Sequence, residues 1–180
     1  MSTTHAPLKL HKGDGSQHRM PTQRGQILIV DDDPIIAESL ADMLSEQGHT
    51  IMVAGDGREA LHILRQHPGI ALAICDMHLP AMSGPELIDE IRTQHESVSI
   101  VVITGYGTIE SAVQAVKAGA MDYLTKPIVD DELLFIVEKA MRQHVLMREN
   151  VNMKNQLAQR YGVGNIVGAD HRMQKVYDLI

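Results

Sequence analysis

Acidic, hydroxyl and amine side chains follow four of the apolar runs in this sequence, at the points where those runs end. The residues are Asp31 and Asp32 after QILIV, Asp76 after IALAIC, Thr104 at the end of SIVVIT, and Lys126 after MDYLT. Two adjacent carboxylates repel each other, so a bound cation is the economical explanation for the first pair. Hard oxygen ligands indicate Mg²⁺, which takes few protein carboxylates and keeps several waters.

A carboxylate beside a divalent cation, with a hydroxyl and an ammonium within reach, is suited to accepting a phosphoryl group. The cation and Lys126 would neutralise charge on the transferred oxygens, which is most of what a loose phosphoryl-transfer transition state requires. Asp76 would be the nucleophile, because it is the single carboxylate at the end of a buried apolar run. These residues therefore predict a phosphoryl-accepting site.

The elements that position these residues are apolar runs that alternate five times with amphipathic stretches, from Gln26 onward. The runs are continuously apolar, which predicts strands buried on both faces and therefore parallel pairing with helical crossovers. Asp33 before Pro34 is typical of a helix N-cap and predicts where the first helix begins. The sequence thus predicts an open, doubly wound α/β sheet, with its polar chemistry at the carboxyl ends of the strands.

The segments ILIVDDDP, ICDMHLPAMSG, VITGYGT and DYLTKP, in this order, resemble the receiver domain of two-component response regulators. The resemblance covers about residues 26–145 and implies a flavodoxin-like (βα)5 fold. It implies that Asp76 accepts a phosphoryl group from a sensor histidine kinase, and that the domain is regulatory and not an enzyme. It also implies that Mg²⁺ is held by Asp31, Asp32, Asp76 and the backbone carbonyl of His78.

The same resemblance implies the parts of a switch. Thr104 would be the switch hydroxyl, Lys126 would contact the phosphoryl group, and the peptide bond before Pro127 would be cis, as X–Pro bonds allow. Tyr123 matches the family's switch aromatic, which turns inward as Thr104 moves. An ordinary half-buried strand tyrosine is the alternative for that position.

His78 and Tyr106 each lie two residues beyond a site residue, at positions that border the phosphoryl site in the family. Their bulk would shield an acyl phosphate from water. We expect a long-lived phosphorylated form, tuned by these two side chains.

Two other functions fit the same residues less well. A metal-dependent phosphohydrolase of the haloacid-dehalogenase kind also uses an aspartyl nucleophile, but its DxDxT pattern follows the first strand, and here the sequence from Asp31 to Ile35 lacks the threonine. A dimerisation scaffold without phosphorylation would have no use for Asp76, Thr104 and Lys126 together.

The bulk composition bounds the remaining possibilities. The formal net charge of -7 argues against nucleic-acid binding by this segment. A single cysteine, Cys75, cannot form an internal disulfide, which is typical of a reducing compartment and predicts a cytoplasmic protein. Residues 1–25 hold no apolar stretch long enough for a signal peptide or membrane span, and we expect a disordered tail there.

A long helix is predicted from Asp130 to about Arg160, because this stretch holds neither proline nor glycine. Its last part, residues 146–164, is expected to form a helical linker that continues the last receiver helix. Residues at alternating four- and three-residue steps predict a coiled-coil seam and a weak or state-dependent dimer; they are Leu133, Val137, Ala140, His144, Met147, Val151, Lys154 and Ala158. A lone amphipathic helix is the alternative.

Residues 165–180, NIVGADHRMQKVYDLI, resemble the start of the AAA+ ATPase domain in NtrC-type sigma-54-dependent transcriptional activators. Asp170 is a candidate N-cap for a final amphipathic helix. The resemblance implies a longer protein, in which the receiver and linker control an AAA+ domain. This chain holds no GxxxxGK[ST] phosphate loop and is not expected to hydrolyse ATP by that route.

Overall fold

The computed structural model describes residues 24–105 and 109–161, apart from the side chains of residues 109–111 and 158–161. Nearly all of the predicted tail, the tuning residue Tyr106 and the predicted AAA+ start at residues 165–180 lie outside the described residues. Strands and helices alternate along the described chain, in the order β1 (Gln26–Val30), α1 (Pro34–Glu46), β2 (Thr50–Ala54), α2 (Gly57–Gln66), β3 (Ile70–Asp76), α3 (Gly84–Gln94), β4 (Ser99–Thr104), α4 (Ile109–Ala118), β5 (Asp122–Thr125) and α5 (Asp130–Tyr161).

The five strands form one sheet in the order β2-β1-β3-β4-β5, and every neighbouring pair is parallel. The chain winds outward from β1 in one direction to β2 and in the other to β3, β4 and β5. The strand order therefore reverses between β1 and β3, which is where ligands bind in open sheets of this kind. The predicted doubly wound, flavodoxin-like fold is confirmed.

Two apolar layers sandwich the sheet, because successive residues of a buried strand point to opposite faces. Ile27 and Ile29 of β1 pack in the layer that contains the buried faces of α1 and α5. Leu28 and Val30 pack in the other layer, which contains buried residues of α2, α3 and α4. The central strands are covered on both sides, so they hold the strand ends, and the polar residues there, in fixed positions.

The structure differs from the predicted strands at two places. The edge strands β2 and β5 are partly exposed, because each has a partner on one side only; Val53 and Tyr123 reach solvent. Asp76 is the last residue of β3 and not the first residue of the following loop, since it remains in register with Ile103 of β4. The carboxylate is therefore fixed by the sheet itself.

The final helix, α5, continues without interruption for 32 residues. Leu133, Val137 and Ala140 lie in the core of the domain, packed on the sheet. The first part of the predicted coiled-coil seam is therefore wrong, because its 3.5-residue spacing is here the signature of a helix packed on its own sheet. In the part of the chain that the structure describes, no helix is long and apolar enough to cross a membrane.

Candidate phosphoryl-acceptor site

The carboxyl ends of β1, β3, β4 and β5 bring the predicted site residues to one edge of the sheet. Asp31 follows β1, Asp76 ends β3 and Thr104 ends β4, and all three are buried. The backbone N–H of Lys126 donates a 2.9 Å hydrogen bond to the carbonyl of Thr104. This bond continues the β4–β5 pairing by one residue and sets the position from which the lysine side chain reaches the aspartates.

The ammonium group of Lys126 bridges the two buried carboxylates. Its Nζ atom lies 2.9 Å from Oδ2 of Asp31 and 2.5 Å from Oδ2 of Asp76. Burial lowers the pKa of Lys126, but the hydrogen bonds and the negative charges of Asp76 and Asp31 outweigh it and raise the pKa above its ordinary value. The lysine is therefore held as a cation directly beside the proposed acceptor oxygen.

Asp31, Asp32 and Asp76 form a cluster that fits a divalent cation. One carboxylate oxygen from each lies within 4.8 Å of the other two. Asp31 and Asp76 are buried, whereas Asp32 is exposed. Three carboxylates against one lysine leave an uncompensated double negative charge, and an all-oxygen donor set of this kind suits Mg²⁺.

Neighbouring backbone groups orient the two buried aspartates. The N–H of Asp33 donates to Oδ1 of Asp31 at 2.9 Å, and the N–H of His78 donates to Oδ1 of Asp76 at 2.8 Å. Asp33 is the N-cap of α1, where its side chain accepts from the N–H of Ile35 at 2.9 Å. The N-cap prediction is confirmed, and the same residue also fixes Asp31 through its backbone.

The predicted tuning and switch residues differ in how close they lie to this centre. The His78 side chain is 63% exposed, and its Nδ1 atom lies 4.0 Å from Oδ1 of Asp76. Tyr123 lies on the edge strand β5, is 39% exposed and is not part of the buried cluster. The peptide bond between Lys126 and Pro127 is cis. Tyr106 lies outside the described residues.

Gly84 positions the acceptor loop, residues 77–83, which connects Asp76 at the end of β3 to α3. The sequence patterns did not identify this glycine. A Cβ atom at this position would lie 2.9 Å from both the Cα atom and the carbonyl oxygen of Met77, the residue after Asp76. The N–H of Gly84 donates to that same carbonyl at 3.2 Å. Only glycine permits this approach. A signal was present in Ser83 and Glu86, whose S-x-x-E spacing predicts the capping box observed at the start of α3.

Cys75 lies beside Asp76 in β3 and is fully enclosed. Burial, with a further contribution from the negative charge of Asp76, raises the pKa of the thiol to about 12. The side chain is therefore a small core residue and not a nucleophile, as the apolar run around it indicates.

Comparison with known proteins places this geometry in a family. An NtrX-like response regulator of Rickettsia bellii is 35% identical over 133 residues, which are 73% of this chain and 28% of that protein. The C4-dicarboxylate transport transcriptional regulatory protein DctD of Pseudomonas aeruginosa is 31% identical over 157 residues, 86% of this chain and 34% of that protein. This chain thus spans about a third or less of the length of these relatives.

A solved structure gives the same result. NtrX from Brucella abortus, crystallised in complex with ADP, superposes with a TM-score of 0.67 at 35% identity, covering 73% of this chain and 29% of that one. The family model described as the response regulator receiver domain matches residues 27–138. Because that match takes in most of the chain, including Asp31, Asp32 and Asp76, the chain belongs to the response regulator receiver domain family.

Proposed function

We propose that Asp76 is the phosphoacceptor of this receiver and that a sensor histidine kinase is its donor. The observation that carries the proposal is the position of Asp76: its carboxylate is buried, ion-paired to Lys126 and clustered with Asp31 and Asp32. A carboxylate oxygen of Asp76 attacks the phosphorus of a phosphohistidine. The P–O bond forms as the P–N bond breaks, and the imidazole leaves with the electron pair of that bond.

The side chains around Asp76 stabilise the transferred group. Lys126 compensates negative charge on the phosphoryl oxygens, since its ammonium already contacts the acceptor. Asp31, Asp32, Asp76 and the backbone carbonyl of His78 are the proposed ligands of Mg²⁺. When bound, this ion neutralises phosphoryl oxygens that the lysine does not reach.

The phosphorylated state differs from the free state by a dianion placed beside Thr104 and Lys126. We propose that Thr104 binds this dianion as the switch hydroxyl and that Tyr123 changes its exposure in response. His78 and Tyr106 are proposed to limit the access of water to the acyl phosphate and so to lengthen its lifetime.

The wider role of the chain is proposed from its relatives, two of which carry transcriptional or response-regulator names. Residues 26–145 would be the receiver, residues 146–164 a dimerising helical linker, and residues 165–180 the start of an AAA+ domain that activates sigma-54-dependent transcription. The protein would act in the cytoplasm, and this segment would bind neither nucleic acid nor membrane. Its partners would be the kinase, a second copy and the AAA+ domain of the same complete chain.

Intact-mass analysis tests the phosphoacceptor. The protein is incubated with Mg²⁺ and acetyl phosphate, beside Asp76→Asn and, as a matched control, Asp89→Asn on the exposed surface of α3. We expect one added phosphoryl group in the wild type and in Asp89→Asn, and none in Asp76→Asn.

Two results would contradict the proposal. An adduct that persists in Asp76→Asn would assign the acceptor elsewhere, and no adduct in the wild type would favour a phosphorylation-independent scaffold. Repeated turnover of small phosphate esters by the wild type would instead support the phosphohydrolase alternative, because a receiver without a recycling donor reacts once.

A further inference from the structure

The part of α5 beyond the core presents two sides with different surroundings. On one side, Nδ1 of His144 lies 3.2 Å from the carbonyl oxygen of Ser97 and donates to it, which ties the helix to the loop between α3 and β4. Met147 and Val151 continue this side and line a groove of about 350 Å³ together with Ser97. His144, Met147 and Val151 belong to the seam predicted from sequence and border this groove, where Met147 and Val151 are still 48% and 55% exposed.

The other side carries a second apolar stripe. Leu146, Met153 and Leu157 are 65%, 58% and 56% exposed, although leucine and methionine side chains gain most from burial. Asn150, also exposed, lies between them. The four residues follow steps of four, three and four, which is the spacing of the core positions d, a, d and a of a coiled coil.

We propose that a second copy of this chain packs on the stripe formed by Leu146, Asn150, Met153 and Leu157, in a parallel, in-register, two-stranded coiled coil. The inference rests on the proposed dimerising linker and specifies its contact surface and orientation. The groove on the opposite side of α5, beside Ser97, remains with the chain's own receiver.

Asn150 is the first reason for this arrangement. A single asparagine at an a position meets its own copy across a parallel, in-register dimer, where the two amides satisfy each other's hydrogen bonds. In a shifted or antiparallel pair each amide would be buried against apolar side chains, at a cost in free energy. The residue therefore selects both direction and register.

Charge complementarity is the second reason. With Asn150 at position a, Glu149 occupies position g and Lys154 occupies position e of the following heptad. In a parallel dimer the g residue of one helix meets the e residue five positions on in the other helix, so Glu149 faces Lys154 of the partner, twice by symmetry. The seam predicted from sequence would instead bury Lys154 without an opposite charge, which is unfavourable.

The short length of the stripe limits the stability of the dimer. The exposed seam from Leu146 to Leu157 spans less than two heptads, and short helical contacts of this size are marginal by themselves. The dimer is therefore expected to depend on protein concentration.

Disulfide cross-linking tests the seam directly. Asn150→Cys places a thiol at the proposed axis, and Asn155→Cys, on the same helix and from the same residue type, places one at an outward f position. The native Cys75 is buried and does not interfere. Under mild oxidation we expect a covalent dimer from Asn150→Cys and none from Asn155→Cys. Val151→Cys reports the rival seam and is expected to cross-link poorly.

Charge reversal measures the orientation. Sedimentation of Glu149→Lys should show a dimer dissociation constant about 3- to 30-fold weaker than that of the wild type, because each of two exposed pairs becomes repulsive. The double variant Glu149→Lys with Lys154→Glu should restore the wild-type value. A double variant as weak as the single one would overturn the parallel pairing.

The outcomes separate this inference from the proposed function. A dimer that cross-links through Val151→Cys, or that persists without cross-linking Asn150→Cys, would overturn this seam and leave linker dimerisation standing. A monomer at every concentration, both with and without the phosphoryl adduct seen by intact mass, would overturn linker dimerisation itself. The adduct on Asp76 is read from the same samples and remains an independent result.

Discussion

Lys126 donates a 2.9 Å hydrogen bond from Nζ to Oδ2 of Asp31, a residue 95 positions earlier in the chain. The contact joins the ends of β1 and β5, which lie on either side of β3 and β4 in the sheet. With three carboxylates against this one ammonium, the acidic cluster keeps a net charge of −2, which a divalent cation would balance. The lysine is both a structural tie and the proposed phosphoryl contact.

The ion pair between Lys126 and Asp31 predicts a change in stability at high pH. The folded-state pKa of Lys126 is raised above 10.5, so its contribution is fully present below that pH and is lost as the pH rises through the folded pKa. We expect the unfolding free energy of the wild type to fall more steeply above about pH 10.5 than that of Lys126→Gln. Urea unfolding measures both, with Lys117→Gln on the exposed side of α4 as the control. Parallel curves would contradict the role of the ion pair.

Removing one of the proposed Mg²⁺ ligands should weaken the stabilisation that Mg²⁺ gives to the folded protein. Metal at about 100 times its dissociation constant should stabilise the wild type by about 2.7 kcal/mol, because only the folded state assembles the cluster. Asp32→Asn should lose most of this gain, whereas Asp42→Asn, an exposed change on α1, should keep it. Thermal unfolding with Mg²⁺ and with EDTA is the measurement. Equal gains in all three proteins would place the ion elsewhere.

His49 should make the fold sensitive to mild acid. Burial lowers the pKa of His49, and the hydrogen bond from the N–H of Gly25 to its Nδ1 atom requires an unprotonated acceptor there. Its contribution is present above the unfolded pKa of 6.5 and is lost as the pH falls through the folded value. We expect the stability loss below pH 6.5 to be shallower in His49→Gln than in the wild type. His67→Gln, an exposed change, should follow the wild type.

The thiol of Cys75 should be inert in the folded protein. At pH 8, alkylation by iodoacetamide should be at least about 100-fold slower than in urea, because burial both withholds the thiolate and blocks access. Asp76→Asn should remain protected, since burial is the larger cause of the raised pKa of Cys75. Mass spectrometry after timed quenching gives the rates. Rapid alkylation of the native wild type would show that β3 opens locally.

Gly84→Ala should disturb the acceptor loop. The added Cβ must displace the backbone of Met77, and we expect a loss of about 1–3 kcal/mol in unfolding free energy, together with slower phosphorylation of Asp76. Gly105→Ala is the matched control for stability, because nothing lies within 4 Å of its added Cβ. Its stability should change by about 0.5 kcal/mol or less. Equal losses of unfolding free energy in the two variants would contradict the role given to the close contact between Gly84 and Met77.

The sequence predicted the elements that carry strong local patterns. Apolar runs with polar residues at their ends predicted the strands and the strand ends that carry the site residues. Asp33 before Pro34 predicted the N-cap of the first helix. The contact between Gly84 and Met77 could not be predicted, because it depends on how closely a loop returns to a strand. The first part of the predicted seam, from Leu133 to Ala140, was misassigned for a related reason: a helix packed on a sheet and a helix packed on a helix share nearly the same apolar spacing.

The unbroken course of α5 has a mechanical consequence. From Met141, the last residue of the helix in the core, to Tyr161 it extends about 30 Å at 1.5 Å per residue. A rigid rod of this length acts as a lever: a tilt of about 10° at the receiver moves its far end by about 5 Å. A tilt of that size would therefore displace the end of α5 by nearly the pitch of one helical turn.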